Sequence, residues 1–167
     1  MRLQHEIDVF SAVIKDKSYG ISGIFLVEAS VEILSQNLLE NKSFENLNFQ
    51  KLSTCGSYFT GVYDLQQETY DDWVSINNQT YSLAPWVKNH QLTLISEEEY
   101  NQYCLSGEYN SSGFYRLTRP GFSKNFSQAL IQIYGYCPIA FSFGSVIYLE
   151  RVSEKWCTLS SYGLYNQ

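Results

Sequence analysis

The chain has 167 residues, of which 44% are hydrophobic, 16% aromatic and 17% charged, and it carries a net charge of −6. That length suits one domain with its own core, and the apolar and aromatic content excludes a disordered chain. The negative charge argues against sequence-independent nucleic-acid binding and against docking on anionic lipid, both of which need a basic surface.

The opening "MRLQHEIDVFSAVIK" has no apolar core of the signal-peptide kind, and no apolar run is long enough to cross a bilayer, so a soluble cytoplasmic protein is expected. Leu3, Ile7, Phe10, Val13 and Ile14 recur at helical spacing and predict an amphipathic helix over 2–16, with His5 off the apolar stripe and facing solvent. "GIFLVEASVEI" reads as a strand over 23–29. Residues 36–57 are polar and Asn-rich, and so long a stretch implies structure hidden within it.

Thr69, three residues before Asp72, approximates a capping box and predicts a helix over 70–78 with Tyr70, Trp73, Val74 and Asn77 on one face. "HQLTLI" is a short strand. Ser96 and Glu99 form a proper capping box before a helix over 97–104, whose acidic first turn suits the helix dipole.

From Phe114 the pattern changes to period two. "FYRLTR", "QALIQIYGY", "AFSFGSVIYLERV" and "KWCTLSSYGLY" read as four strands, the first stopped by Pro120-Gly121 and the third with a bulge at Gly144. Short connections make them an antiparallel meander. The expected fold is a single α+β domain over residues 1–167. In it an N-terminal helix and short helices pack on a mainly antiparallel sheet ending in that four-stranded meander.

Strand alternation separates two faces. Ala129, Ile131, Ile133, Phe143, Ile147 and Leu149 form an aliphatic face for the N-terminal helix. The other face carries Gln132, Tyr134, Tyr148 and, by regular alternation, Trp156. Polar-tipped aromatics of this kind fit a ligand pocket, with Arg116 as the charged member, or a second core layer covered by the 60–110 region. Arg116 and Arg119 are three apart, so a regular strand sends them to opposite faces, and both are expected at the surface.

Little else points to catalysis. His5 and His90 are the only imidazoles, and no HxH, HExxH or CxxC spacing occurs, so neither a metal nor another cofactor is expected. Cys55, Cys104, Cys137 and Cys157 are far apart and read as free thiols, with Cys137 and Cys157 in the core. No GxSxG, P-loop or dinucleotide fingerprint is present, and no catalytic residue is assigned. Charge is unevenly spread: residues 61–110 hold one lysine against eight acids. Asp71, Asp72, Glu97 and Glu98 are therefore candidates for binding a basic partner protein.

The stretch "RPGFSKNFSQALIQIYGYC", a glycine-containing strand and "YLERVSEKWCTL" resemble a pattern of uncharacterised bacterial proteins. The tail "YLERVSEKW" is similar to the end of NTF2-like domains, the resemblance covering residues 114–165. It implies a cone of helices on a curved sheet, a fold that hosts enzymes and pure binding modules. The Asp–His pair usual in that family has no equivalent here, and the early strand departs from its three-helix opening.

Two functions follow as expectations. The first is a non-enzymatic binding or protein-interaction protein, an acidic partner of the immunity type. The second is an NTF2-like cone with a small-ligand pocket lined by Arg116, Gln132, Tyr134, Tyr148 and Trp156.

Overall fold

The computed structural model describes residues 1–21, 25–31, 43–53, 58–87, 92–106, 113–137 and 141–166. Among them the elements run α1 (Arg2–Lys15), β1 (Phe25–Val27), β2 (Gln50–Leu52), β3 (Phe59–Val62), α2 (Gln67–Ile76), β4 (Thr93–Ile95) and α3 (Glu97–Ser106). The second half adds β5 (Phe114–Leu117), β6 (Gly121–Phe122), β7 (Gln128–Cys137), β8 (Phe141–Val152) and β9 (Lys155–Asn166). The fold is α+β. The main sheet runs β4-β1-β5-β7-β8-β9, with β6 pairing on β7 beyond the end of β5. β5, β7, β8 and β9 are the antiparallel meander legible in the sequence, while β1 lies parallel to both β4 and β5.

Helices cover both faces. On one, Val9, Phe10, Val13 and Ile14 of α1 pack against Ile131, Ile133, Ile147 and Leu149. The buried stripe of α1 is rotated from the predicted one: Leu3 is 54% exposed, whereas His5 and Glu6 are buried. Apolar spacing could not reveal this, because each polar group is satisfied by a remote partner. His5 stacks on Phe126 at 4.4 Å, and its Nδ1 accepts from Trp156 Nε1 at 3.3 Å. Burial, and then the positive charge of Arg151, hold His5 below the usual imidazole pKa.

On the other face Leu47, Phe49, Leu65 and Trp73 cover Leu130, Val146 and Tyr148. Tyr100 and Tyr103 of α3 pack on Phe114 near Val27 and Ile95. α3 begins with the capping box read from the sequence: Ser96 N donates to Glu99 Oε2 at 2.7 Å and Glu99 N to Ser96 Oγ at 3.1 Å. α2 does not. It starts at Gln67 without a side-chain cap of its own, and Thr69 is buried and turned toward Gln128. The cap comes from β7: Gln128 Oε1 accepts from Gln66 N at 3.0 Å, and Gln128 Nε2 donates to Asp64 O at 2.7 Å.

α2 is then sewn to the β5–β6 connection. Asp72 accepts from Phe122 N at 2.7 Å, Trp73 Nε1 donates to Thr118 Oγ1 at 3.1 Å, and Asn77 bonds both N and O of Arg119 at 2.8 Å. The four predicted face residues of α2 do point inward, with Trp73 and Asn77 fully buried and Tyr70 and Val74 half-buried.

The hidden structure within 36–57 includes β2, which pairs with β3 as a separate antiparallel hairpin. The irregularity expected at Gly144 is present, but its extra residue is Leu164 in β9, while β7–β8 pairing runs through Gly144 undisturbed. A second bulge puts Thr158 opposite Leu149 and Ser160 opposite Tyr148, leaving Leu159 as the extra residue.

β8 and β9 are joined by the two-residue turn Ser153-Glu154, both with positive φ, 47° and 67°. Two positive values define the hairpin turn that Asn-Gly satisfies with least strain. Exchanging Ser153-Glu154 for Asn-Gly is therefore expected to raise unfolding stability by about 1 kcal/mol. The exposed Arg151–Glu154 pair it removes offsets little of this gain. An unchanged or lower midpoint in urea unfolding would count against the strain.

Candidate functional site

The sheet brings together four of the five residues proposed for a pocket. Arg116 pairs with Tyr134 in register, and Gln132 and Tyr148 lie on the same face. Trp156 does not join them. The two-residue turn Ser153-Glu154 sets Trp156 opposite Arg151, on the α1 face and packed with His5 and Phe122, and the Leu159 bulge then parts it from Ser160 and Tyr162. Gln132 and Tyr148 are fully buried, and Tyr148 is covered by Phe49 and Tyr63 at 5.3 and 5.1 Å. At Tyr148 the hydroxyl face is thus a second core layer, roofed by Trp73 of α2 and by Leu47, Phe49, Tyr63 and Leu65.

The two arginines do lie on opposite sides, but Arg119 is no surface residue. Arg116 bonds Glu97 and lies 4.7 Å from the Tyr100 ring. Arg119 is buried between the rings of Tyr81 and Trp86, at 4.3 and 4.5 Å, and donates to Glu6 at 2.7 Å. Glu6, 2% exposed, also accepts from Arg2, which forks onto Asp72. This chain of charges ties α1, α2 and the β5–β6 turn together.

The candidate partner-binding acids divide accordingly. Asp72 is committed to Arg2 and Phe122 N, and Glu97 to Arg116. Asp71 is exposed and, among the described residues, accepts only from Gln67, its neighbour one turn back. Glu98 is exposed on α3.

Asp71 has different company from that expected. Phe44 packs edge-on to Tyr70 at 5.8 Å, and Tyr70 reaches Trp73 at 6.0 Å. Burial, then Glu45 and Asp71, push the Tyr70 phenol up. Burial also pushes Tyr148 up, reinforced by its 2.6 Å bond to Glu150 and by the charge of Asp64. These residues form one ridge, with Phe44, Tyr63 and Tyr70 half-buried and Glu45, Asp64, Asp71 and Glu150 around them. Among the described residues none of those four carboxylates is in an ion pair within 4 Å. Glu45 and Glu150 lie outside the 61–110 window that holds Asp64 and Asp71, so counting charge by window missed the grouping.

The remaining candidates lie apart. Cys104 and Cys157 are free and half-buried, so Cys157 is not the core thiol expected. His90, Cys55 and the Cys137 side chain lie outside the described residues. Among the described residues no group of three or more His, Cys, Asp or Glu side chains is arranged to hold a metal, and no helix is long and apolar enough to cross a membrane. Comparison with protein-family models, with curated proteins and with solved structures found no match.

Proposed function

We propose that the chain is a non-enzymatic protein-interaction protein that takes a basic partner on the ridge of Glu45, Asp64, Asp71 and Glu150, as an acidic protein of the immunity type would. The observation that carries this is the combination of four carboxylates outside any ion pair among the described residues with half-buried aromatic rings on one surface. Aromatic side chains supply contact area at little entropic cost, and the charges steer an oppositely charged protein. The NTF2-like ligand pocket has less support. Trp156 lies on the other side of the sheet, and Gln132 and Tyr148 are closed off from solvent.

Photo-crosslinking from position 70 in a cell lysate, with the captured protein identified by mass spectrometry, tests the reading. The expected capture is a basic protein, and it should fail when irradiation is carried out in ~0.5 M salt, because surface charge pairs are screened within a few ångströms there. Glu45→Lys with Asp71→Lys is expected to abolish it and Glu98→Lys to leave it. Capture indifferent to the double reversal would remove the ridge from the interface.

A further inference from the structure

β9 is one outer strand of the main sheet. From Trp156 to Asn166 it carries no charged residue and no proline, the usual guards of an exposed edge. The opposite outer strand, β4, is only three residues long and runs directly into Glu97, Glu98 and Glu99.

The β9 edge is recessed instead. A groove of about 510 Å³ runs along Thr158–Ser161 and reaches inward to Phe143 and Ser145 of β8, with Asp16 and Tyr19 from beyond α1 and Gln50 and Leu52 of β2 also lining it. Ser160 Oγ donates to Gln50 O at 2.9 Å and fixes the β2 wall to the strand. Tyr19, pushed up to about 12 by burial and then by Asp16, stays a neutral phenol bonded to Ser161. The bulges at Leu159 and Leu164 leave Ser160–Gly163 in regular pairing with β8. A visiting strand therefore finds a short regular stretch rather than an open-ended edge.

One carboxylate gives the groove its polarity. Asp16 is the single charged side chain among the described residues lining it. Burial alone would raise its pKa, but hydrogen bonds from the Thr158 hydroxyl and Ser18 N outweigh that and hold it ionised. A second copy of the chain would bring its own net charge of −6 to this edge, whereas a cationic segment matches it.

We propose that this groove takes a short extended segment of a partner protein, its main chain adding a strand to β9 and a lysine or arginine reaching Asp16. The groove lies at the sheet edge and is separable from the acidic ridge.

The test is fluorescence anisotropy of the full chain with a labelled heptapeptide alternating lysine and valine. Saturable binding is expected. It should be lost when alternate peptide amides are N-methylated, and lost when glutamate replaces lysine. Asp16→Asn keeps the acceptor for Ser18 N, reverses the bond to Thr158 so that the amide donates to its hydroxyl, and is expected to weaken binding about tenfold, the scale of one charge-assisted hydrogen bond. Glu45→Lys with Asp71→Lys should leave peptide binding in place, so that loss of the ridge and loss of the groove are read separately. Equal binding of the N-methylated peptide, no effect of Asp16→Asn, or no binding at all would overturn the proposal. So would a concentration-dependent dimer that the peptide dissociates, which would assign the edge to a second copy.

Discussion

Gly121→Ala is expected to destabilise the protein by about 4 kcal/mol or more and to lower its melting temperature by roughly 10 °C. A Cβ at position 121 would lie 2.3 Å from both Cα and N of Trp73. Those are backbone atoms in the middle of α2, so no rotamer change relieves the overlap, and the helix must lift from β6. Lifting it strains the bonds of Asp72, Trp73 and Asn77 to residues 118–122 together. Trp73→Ala in the same background is expected not to restore stability, because the clash is with main chain. Calorimetry of the single and double variants decides this, and recovery in the double variant would mean that α2 yields more readily than its contacts imply. Gly135 contrasts with it: there the nearest atoms a Cβ would meet are ring atoms of Phe143, which a side-chain movement could clear.

Glu6→Ala should cost about 3–5 kcal/mol, the penalty for removing one partner of a buried ion pair. Glu6 is 2% exposed and its Oε1 faces Arg2 at 3.2 Å and Arg119 at 2.7 Å. Without it the Arg119 guanidinium, stacked between Tyr81 and Trp86, keeps its burial and loses its counter-charge. Leu3→Ala, three residues away on the exposed side of the same helix, is expected to stay within about 0.5 kcal/mol of the parent. Urea unfolding of both variants reads the difference, and similar midpoints would place the energy of α1 in its apolar stripe alone.

These two sites also mark where the sequence was legible and where it was not. The period-two pattern from Phe114 onward showed the meander, and residues 129–136 and 143–149 fell on the faces that alternation assigned. The capping box of Ser96 and Glu99 located α3 because both of its partners are local. The errors have a common origin in partners distant along the chain. Thr69 and Asp72 look like a local cap, yet their partners are Gln128, Arg2 and Phe122.

His5 and Arg119 read as surface residues, and Glu6 stood out in no way, because nothing nearby in sequence reveals the rings and counter-charges that bury them. Trp156 lies on the α1 face because the two-residue turn Ser153-Glu154 sets it opposite Arg151, and no glycine marks the Leu159 bulge that parts it from Ser160 and Tyr162. The acidic ridge was half legible, through Asp64 and Asp71 in the acidic 61–110 window. Its other carboxylates lie in segments that meet only once Tyr148 is roofed.

The capping of α2 by Gln128 has a consequence for how the chain assembles. A ten-residue helix with no side-chain cap of its own and no basic residue in its last turn has little reason to persist alone. Its first turn is completed by a side chain more than sixty residues downstream, on a strand that itself needs β8. Helix and sheet therefore form one cooperative unit: α2 cannot serve as an early folding nucleus, and it should exchange its amide protons only through openings that also disrupt β7.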